Sequence, residues 1–383
     1  MVVSAIGSTT NELEKIIALS QAGKSFNEPF VQLKNFHLQI VKELFNTSVD
    51  IESELNVWFK QLAEAASLVG EYDYVYDQVI GFGELISSIM VHHFLLQEGL
   101  ASEWIDARKF IVTDNTFREG QVQWAETENK IKSIKPLLEN KIIITQGFIG
   151  ANSKNETVSL GREGSDFSAA IFGACLLADS VTIWKDVPGV MSADPKRIPN
   201  AIVFEELPYK ETAEMTYYGA SVIHPKTVKP LANKLIPLLV KSFKDPGLVG
   251  TKIHECHVDK LPPLIVHKEN QCLISCKVTD YTFINEEQLG KIFNAISESG
   301  MKINLMQNSA ISFSFCVDFR ENKVMKLIGN LSKNFEVYYN SGLTLITVKN
   351  YDSKIFNEYR ALKGVMLEQS SRTNLQVLVR DVK

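Results

Sequence analysis

The sequence predicts an α/β protein with a mostly parallel sheet, followed by a smaller α+β region. Three observations carry this. Short β-branched runs, "KFIVTD", "KIIITQGFIG" and "VTIWKDV", end in turn residues and alternate with helical segments, the pattern of strands buried on both faces. After Thr251 the order becomes strand, helix, two strands, helix, strand. Between the two regimes "HVDKLPPL" reads as a linker, because paired prolines interrupt any regular element.

The elements follow in order. Residues 26–70 read as a helical hairpin, with apolar residues three and four apart in "FVQLKNFHLQIVKELF" and His37 as a helix-face residue. "GFGELISSIMVHHFLLQEG" reads as a loop opening a long buried helix, with Glu84 in the first turn, where an acid suits the dipole. In "TVSLGREGSDFSAA" a Gly-rich turn feeds a helix. Its free N–H groups could bind a phosphate or carboxylate; equally, it could be a plain strand-to-helix connection capped by Ser165 or Asp166. Gly147, Gly150, the "GREGSD" loop and "KDVPGVMSADPK" follow strand ends and should share one rim, where ligands gather in such sheets.

Beyond the linker come strand "CLISCKV", helix "EQLGKIFNAISESG", strands "INLMQ" and "ISFSFCVDF", helix "VMKLIGNLSKN" and strand "FEVYY". Leu289, Ile292, Phe293 and Ile296 form one helix face, ended by Gly300, and Ile311, Phe313, Phe315, Val317 and Phe319 alternate along a strand. A shorter unit, "LTLITVKN", "KIFNEYRALKG", "VMLEQ" and "NLQVLVRDV", makes a weak internal repeat.

Composition narrows the function. The 383 residues suggest two or three domains, and 45% hydrophobic with 22% charged residues is a globular balance. No apolar run is read as approaching the ~18 residues of a membrane span. "MVVSAIGSTTNELEK" lacks the basic start of a signal peptide, so a cytoplasmic location is expected. A net charge of -5 without a basic run interleaved with aromatics argues against a nucleic-acid surface and for small-molecule partners. The five scattered cysteines read as reduced thiols. His254, Cys256, His257, His267, Cys272 and Cys276 crowd together but contain no CxxC pair and no HxxxH, and Cys272 and Cys276 share a strand face; no metal site is assigned.

"VVSAIGSTTN", "GFGELISS", "TQGFIG", "SLGREGSDFSAA", "WKDVPGVMSADPK", "YYGASVIHPKT" and "KDPGLVGTKI" occur in the order found in aspartokinases, which the sequence resembles over nearly its whole length. The resemblance implies an amino-acid-kinase three-layer sandwich at residues 1–253, then ferredoxin-like ACT regulatory units at 264–340 and 341–383. It implies transfer of the ATP γ-phosphoryl group to the side-chain carboxylate of L-aspartate, the first step toward lysine, threonine and methionine. Such chemistry asks for positioning and charge neutralisation rather than a protein nucleophile. Mg²⁺ would bridge the ATP phosphates and keep several waters, without a protein cage.

By the same resemblance Arg162 holds the substrate α-carboxylate, while Glu84, Asp166, Ser165 and Thr10 hold its ammonium and orient its carboxylates. Ser4, Gly7, Lys185, Asp186, Met191, Lys196 and Ser221 fall where the family binds ATP. Met306, Asn308 and Ser309 lie in the stretch of the effector loop, for an amino acid such as lysine or threonine, although "MQNSAIS" also reads as a bare strand pair and Ala310 replaces a frequent acid. Tandem ACT-like units imply a homodimer. Three departures stand out: the family's first strand with its "KFGGTS"-like lysine loop is absent, Glu163 stands for Gly, and Ser221 stands for Lys. A shortened start is expected to expose ladder groups and apolar surface. These departures keep a catalytically silent amino-acid sensor as the alternative to the kinase, with another carboxylate kinase behind it.

Overall fold

The computed structural model describes residues 1–47, 49–219, 223–279 and 282–380. Five helices open the chain: α1 (Thr9–Gln21), α2 (Asn27–Leu44), α3 (Val49–Ala66), α4 (Tyr72–Ile80) and α5 (Phe82–Gln97). The expected hairpin is α2 and α3. Leu13, Ile16, Ile17, Val41, Leu55, Phe59, Leu62, Ile86 and Ile89 close one apolar core among these helices. Helix α4 stands where no element was expected. It runs almost directly into α5 because Gly81 packs without a side chain against Ile149, whose Cγ2 would sit 2.9 Å from an added Cβ. Together they give an apolar stretch over residues 72–97 that is long enough by composition to cross a membrane, which corrects the reading that no such run exists. Two thirds of its most apolar 18 residues are buried against the other helices and strands, the condition of a core helix in a globular fold.

The strands of the N-terminal half are β1 (Val2–Val3), β2 (Ser102–Trp104), β3 (Ile142–Gln146), β4 (Ile149–Ala151), β5 (Thr157–Ser159), β6 (Val181–Lys185), β7 (Glu206–Pro208), β8 (Leu238–Ser242) and β9 (Thr251–His254). Helices α6 (Trp124–Lys132), α7 (Gly164–Leu176), α8 (Tyr209–Tyr217) and α9 (Pro225–Ala232) lie between them. The strands form three sheets: β1-β3-β2, all parallel; β6-β8-β9-β7, in which only β8 and β9 run antiparallel; and the antiparallel pair β4-β5. Helix α5 crosses the first sheet and α7 packs on both β1 and β6. These two are the end strands of their sheets, and a groove of about 1010 Å³ lined by Val2, Val3, Ile183 and Trp184 runs between them.

Two local expectations are corrected. "KFIVTD" is a 3-10 turn followed by single bridges, Val112 to Ala151 and Thr113 to Val122. No ladder extends there, because the Val112 N–H donates to Thr127 Oγ1 and its carbonyl accepts from the Gln123 N–H. Gly150 lies inside β4 rather than at a strand end, where an added Cβ would meet the Ile111 carbonyl oxygen at 2.7 Å.

The C-terminal region contains β10 (Leu264–Lys277), α10 (Glu286–Glu298), β11 (Ile303–Asn308), β12 (Ser312–Asp318), α11 (Glu321–Leu331), β13 (Glu336–Lys349), α12 (Ser353–Arg360), β14 (Val365–Ser370) and β15 (Asn374–Arg380). They form one sheet in the order β11-β12-β10-β13-β15-β14. Strands β10 and β13 pair along their length with register shifts near Asn270, so each contributes one half to each repeat and the expected division at 340/341 falls inside β13. Cys272 and Cys276 do share a face, buried beneath α10 and α11 with Ile292, Ile296, Phe313, Phe315 and Val317. Phe293 and Ile311, expected with that face, are 41% and 43% exposed: Phe293 leans on the edge of Phe313, and Ile311 precedes its strand.

The two halves meet through an apolar cluster that takes in Leu264 and Val266 of β10, and through polar contacts. Lys349, with 3% of its side chain exposed, pairs with Glu211 at 2.7 Å and also with Glu214, both on α8. The Asn374 amide donates to the Tyr218 hydroxyl at 3.2 Å, and Lys302 sits 3.8 Å over the Tyr217 ring. Removing one partner of a buried ion pair leaves the other uncompensated, a loss of about 3–5 kcal/mol when both are dry. Glu211 and Glu214 remain partly solvated, so Lys349→Met should cost roughly 1–3 kcal/mol in denaturant unfolding. An unchanged unfolding midpoint would show that Lys349 does not fasten the halves.

Candidate active site

The site begins with two glycines. Gly147 leaves β3 so close to α7 that an added Cβ would lie 2.5 Å from Ser165 Cβ, and Gly164 opens α7 where a Cβ would lie 2.6 Å from the Phe148 ring. The Phe148 N–H donates to Ser168 Oγ at 2.9 Å, and that hydroxyl donates to the Gly164 carbonyl at 3.0 Å. The start of α7 is thereby locked against the end of β3. Between them opens a cavity of about 880 Å³ onto which Ser4, Thr10, Glu84, Arg162, Ser165, Asp166 and Lys185 all face. Seven residues singled out from the sequence are thus brought to one place.

Each is held by its own element. Asp166 lies in the first turn of α7 and pairs with Lys185 at the end of β6 at 2.6 Å. Arg162 is exposed in the loop before α7 and, among the described residues, has no ion pair. Glu84 is 5% exposed in the first turn of α5; its carboxyl accepts from the N–H groups of Glu84 and Ala5, while Oε2 has no partner. Burial raises its pKa from 4.5 to about 8, against the lowering effect of those two N–H groups. Thr10 lies in the first turn of α1 after Thr9, whose hydroxyl donates to the Ile6 carbonyl at 2.6 Å and lies 3.3 Å from His37 Nε2. His37 itself is buried, its Nδ1 2.9 Å from the Leu33 carbonyl, so this helix-face residue supports the wall of the site.

Other expected residues lie elsewhere. Gly7, with φ +59°, turns the chain against Phe36, outside the cavity. Asp186 and Lys196 are exposed, and Met191 is half-buried and bridges Val203. They belong to a loop that Gly189 brings against β9, with an added Cβ only 2.6 Å from Thr251 Oγ1. Ser221 lies outside the described residues. Met306 and Asn308 are exposed on β11, the end strand of the C-terminal sheet, and Ser309 Oγ is 2.7 Å from Ser312 Oγ in the turn that follows.

Sequence reading missed one wall. Asp77 on α4 is fully buried and accepts from the Ser159 hydroxyl at 2.6 Å, the Ser159 N–H at 2.9 Å and the Arg118 N–H at 2.7 Å, tying β5 and the 116–119 loop to the helix. Burial raises its pKa and those three donors hold it back. Arg118 reaches over the Tyr76 ring at 4.3 Å and pairs with Asp73 at 3.2 Å. The available signal was the four-residue spacing of Asp73 and Asp77 within the apolar run "YDYVYDQVI".

Glu163 explains one departure. It stands before α7 with φ +54° and ψ 34°, left-handed values that glycine adopts freely and other residues adopt at a cost of about 1–2 kcal/mol. Its carboxyl is half-buried with Oε2 unpartnered, and burial raises its pKa, Lys185 opposing. Among the described residues no group of three or more His, Cys, Asp or Glu side chains is arranged to hold a metal.

Residues 1–242 match the model of the amino acid kinase family. The chain is 30% identical over 381 residues to the lysine-sensitive aspartokinase 3 of Escherichia coli, covering 96% of this chain and 84% of that protein. Its structure superposes on E. coli aspartokinase III in complex with aspartate and ADP with a TM-score of 0.86 at 28% identity, covering 99% of this chain and 89% of the other. The lysine and aspartate complex of the same enzyme gives 0.79 at 27% identity, with 99% and 88% covered.

The local geometry sets opposite expectations for two neighbouring changes. Gly147→Ala should destabilise by about 1–3 kcal/mol, since Ser165 cannot retreat without moving α7. Glu163→Gly should leave stability within about 1 kcal/mol of the original or raise it. Chemical denaturation of both variants checks the pair, and the reverse order would contradict the lock described.

Proposed function

Because the chain belongs to the aspartokinases of the amino acid kinase family, we propose that its cavity seats L-aspartate between Arg162 and Glu84, with the ATP triphosphate beside Lys185. The activity is aspartate kinase: the side-chain carboxylate oxygen of aspartate bonds to the γ-phosphorus of ATP, the bond to the β,γ-bridging oxygen breaks, and 4-phospho-L-aspartate and ADP leave. The observation carrying the site reading is the convergence of Arg162, Glu84, Asp166 and Lys185 on one cavity at the start of α7.

The residues divide the work by charge. Arg162, without an ion pair among the described residues, offers a planar fork to the α-carboxylate. Glu84 meets the ammonium at the closed end, where a buried carboxyl with one unpartnered oxygen gains a counter-ion. Asp166 holds Lys185 toward the phosphates, and the first turn of α7 adds N–H groups to the same anionic region. Ser4, Thr10 and Ser165 supply hydroxyls or backbone along the wall. Gly7, Asp186, Met191, Lys196 and Ser221 complete the reading as the nucleotide's outer contacts. Mg²⁺ bound with ATP would supply charge neutralisation, and the absence among the described residues of a carboxylate cage fits an ion carried by phosphates. In this reading residues 1–253 are the kinase domain and the paired ACT-like units sense an amino acid at Met306, Asn308 and Ser309. Lysine is the effector favoured, as for the lysine-sensitive E. coli relative. The enzyme works in the cytoplasm as a homodimer joined through those units.

Two measurements test this. With Mg²⁺-ATP and L-aspartate, hydroxylamine should trap aspartyl phosphate, and Arg162→Ala should cut kcat/KM by roughly 100-fold, the worth of a charge-assisted bidentate contact of about 2–3 kcal/mol. A folded protein that yields no hydroxamate would return the silent sensor. The raised pKa of Glu84 sets the second. Below about 8 the carboxyl holds a proton and cannot pair with the ammonium; above it the pair forms, so binding gains as pH rises through the folded value. From pH 7 to 8.5 the KM for aspartate should fall by up to about tenfold, and Glu84→Gln should flatten the dependence. A flat profile for the unmodified enzyme would remove Glu84 from the ammonium site.

A further inference from the structure

Five cations face the catalytic cavity: Arg118, Arg162, Lys185, Arg320 and Lys323. Two are already neutralised, Lys185 by Asp166 at 2.6 Å and Arg118 by Asp73 at 3.2 Å. Among the described residues the other three have no carboxylate within ion-pair distance. Arg162 has been given a role. The remaining two come from the C-terminal unit, at the start of α11, and are exposed.

Their placement is fixed by packing. Val324, Leu327 and Leu331 bury the opposite face of α11 in the C-terminal core. Asp318, two residues before Arg320, accepts from Lys268 at 2.8 Å and from Gln271 and Asn304 at 2.9 Å each. The Phe319 N–H donates to the Asn270 carbonyl at 2.9 Å. The backbone that carries Arg320 is therefore held from both β10 and β11, and the free N–H groups of the first turn of α11 add to the positive field. Glu119 and Glu163 oppose it from the same walls. Phosphoryl transfer between ATP and aspartate brings several negative charges into this space, more than Arg162 alone balances.

We propose that Arg320 and Lys323 of the C-terminal unit are substrate-binding residues of the kinase cavity, pairing with the phosphate oxygens of ATP or the carboxylates of aspartate. The proposal rests on the aspartate kinase reading and adds that the regulatory half supplies part of the site. Any movement of that half then changes substrate affinity directly.

The test measures equilibrium binding of Mg²⁺-ATP and of L-aspartate by calorimetry, and steady-state turnover, for the full chain and for Arg320→Ala, Lys323→Ala and Arg320→Lys. Either alanine variant should weaken one substrate about tenfold, in Kd and in KM, with kcat changed less and the melting temperature unchanged. Arg320→Lys should recover part of the loss, and the effect should shrink at high salt. Which substrate weakens identifies the anion. Affinities for both substrates within twofold of the unmodified protein in both alanine variants would overturn the proposal. Binding without turnover in the unmodified protein would sink the kinase reading while the binding arm still decides this one.

Discussion

The close approach of β3 to the first turn of α7 is the constraint on which the rest of the site depends. Any side chain at Gly147 would occupy the space of Ser165, so the strand end and the helix start touch backbone to backbone. That contact aims the free N–H groups of α7 at the end of the sheet and sets Asp166 within 2.6 Å of Lys185 on the neighbouring sheet. A strand-to-helix junction gives an anion site when nothing bulky separates its two arms. Here the glycines remove the bulk, and the Ser168 hydroxyl, bonded to Phe148 and Gly164, keeps the arms from parting.

The charges around that junction work by contrast. Glu84 is buried and its pKa is pushed to about 8, whereas Asp166 is held in an ion pair. A carboxyl without a counter-ion suits a ligand that brings one, and a carboxylate that already has one is better placed to aim its lysine. Glu163 fits neither pattern: it occupies a left-handed backbone position, half-buried, with one oxygen unpartnered. It adds a further acidic group to the cavity that Arg162, Lys185, Arg320 and Lys323 also line.

Much of this was legible in the sequence because it rests on local rules. The glycine-rich turn, the acid in the first turn of α5, the helical hairpin and the strand alternation at Phe313, Phe315 and Val317 each follow from spacing and dipole. Seven site residues that the family resemblance pointed to face one cavity. What escaped depends on distant partners. "KFIVTD" has strand composition, yet Thr127 and Gln123 take the backbone groups that a ladder would need. Asp77 could not be told from a surface acid until β5 and the 116–119 loop closed on it. The fused C-terminal sheet was hidden because two 14-residue strands read as parts of separate repeats, and only the register shift near Asn270 reveals that each serves both.

That shared sheet governs how the halves can communicate. Two repeats built on separate sheets could each shift alone, but strands common to both make a displacement in one a displacement in the other. Lys349 ends β13 in a buried pair with α8, and Asp318 ends β12 just before Arg320 at the cavity. Both of these contacts with the N-terminal half thus hang from the same hydrogen-bonded sheet, whose end strand β11 carries Met306 and Asn308. Strand β11 is joined through β12 to a cation facing the cavity and through β10 to β13 and its lysine. Burial of apolar side chains on that sheet resists deformation, so the unit responds as a body rather than by bending.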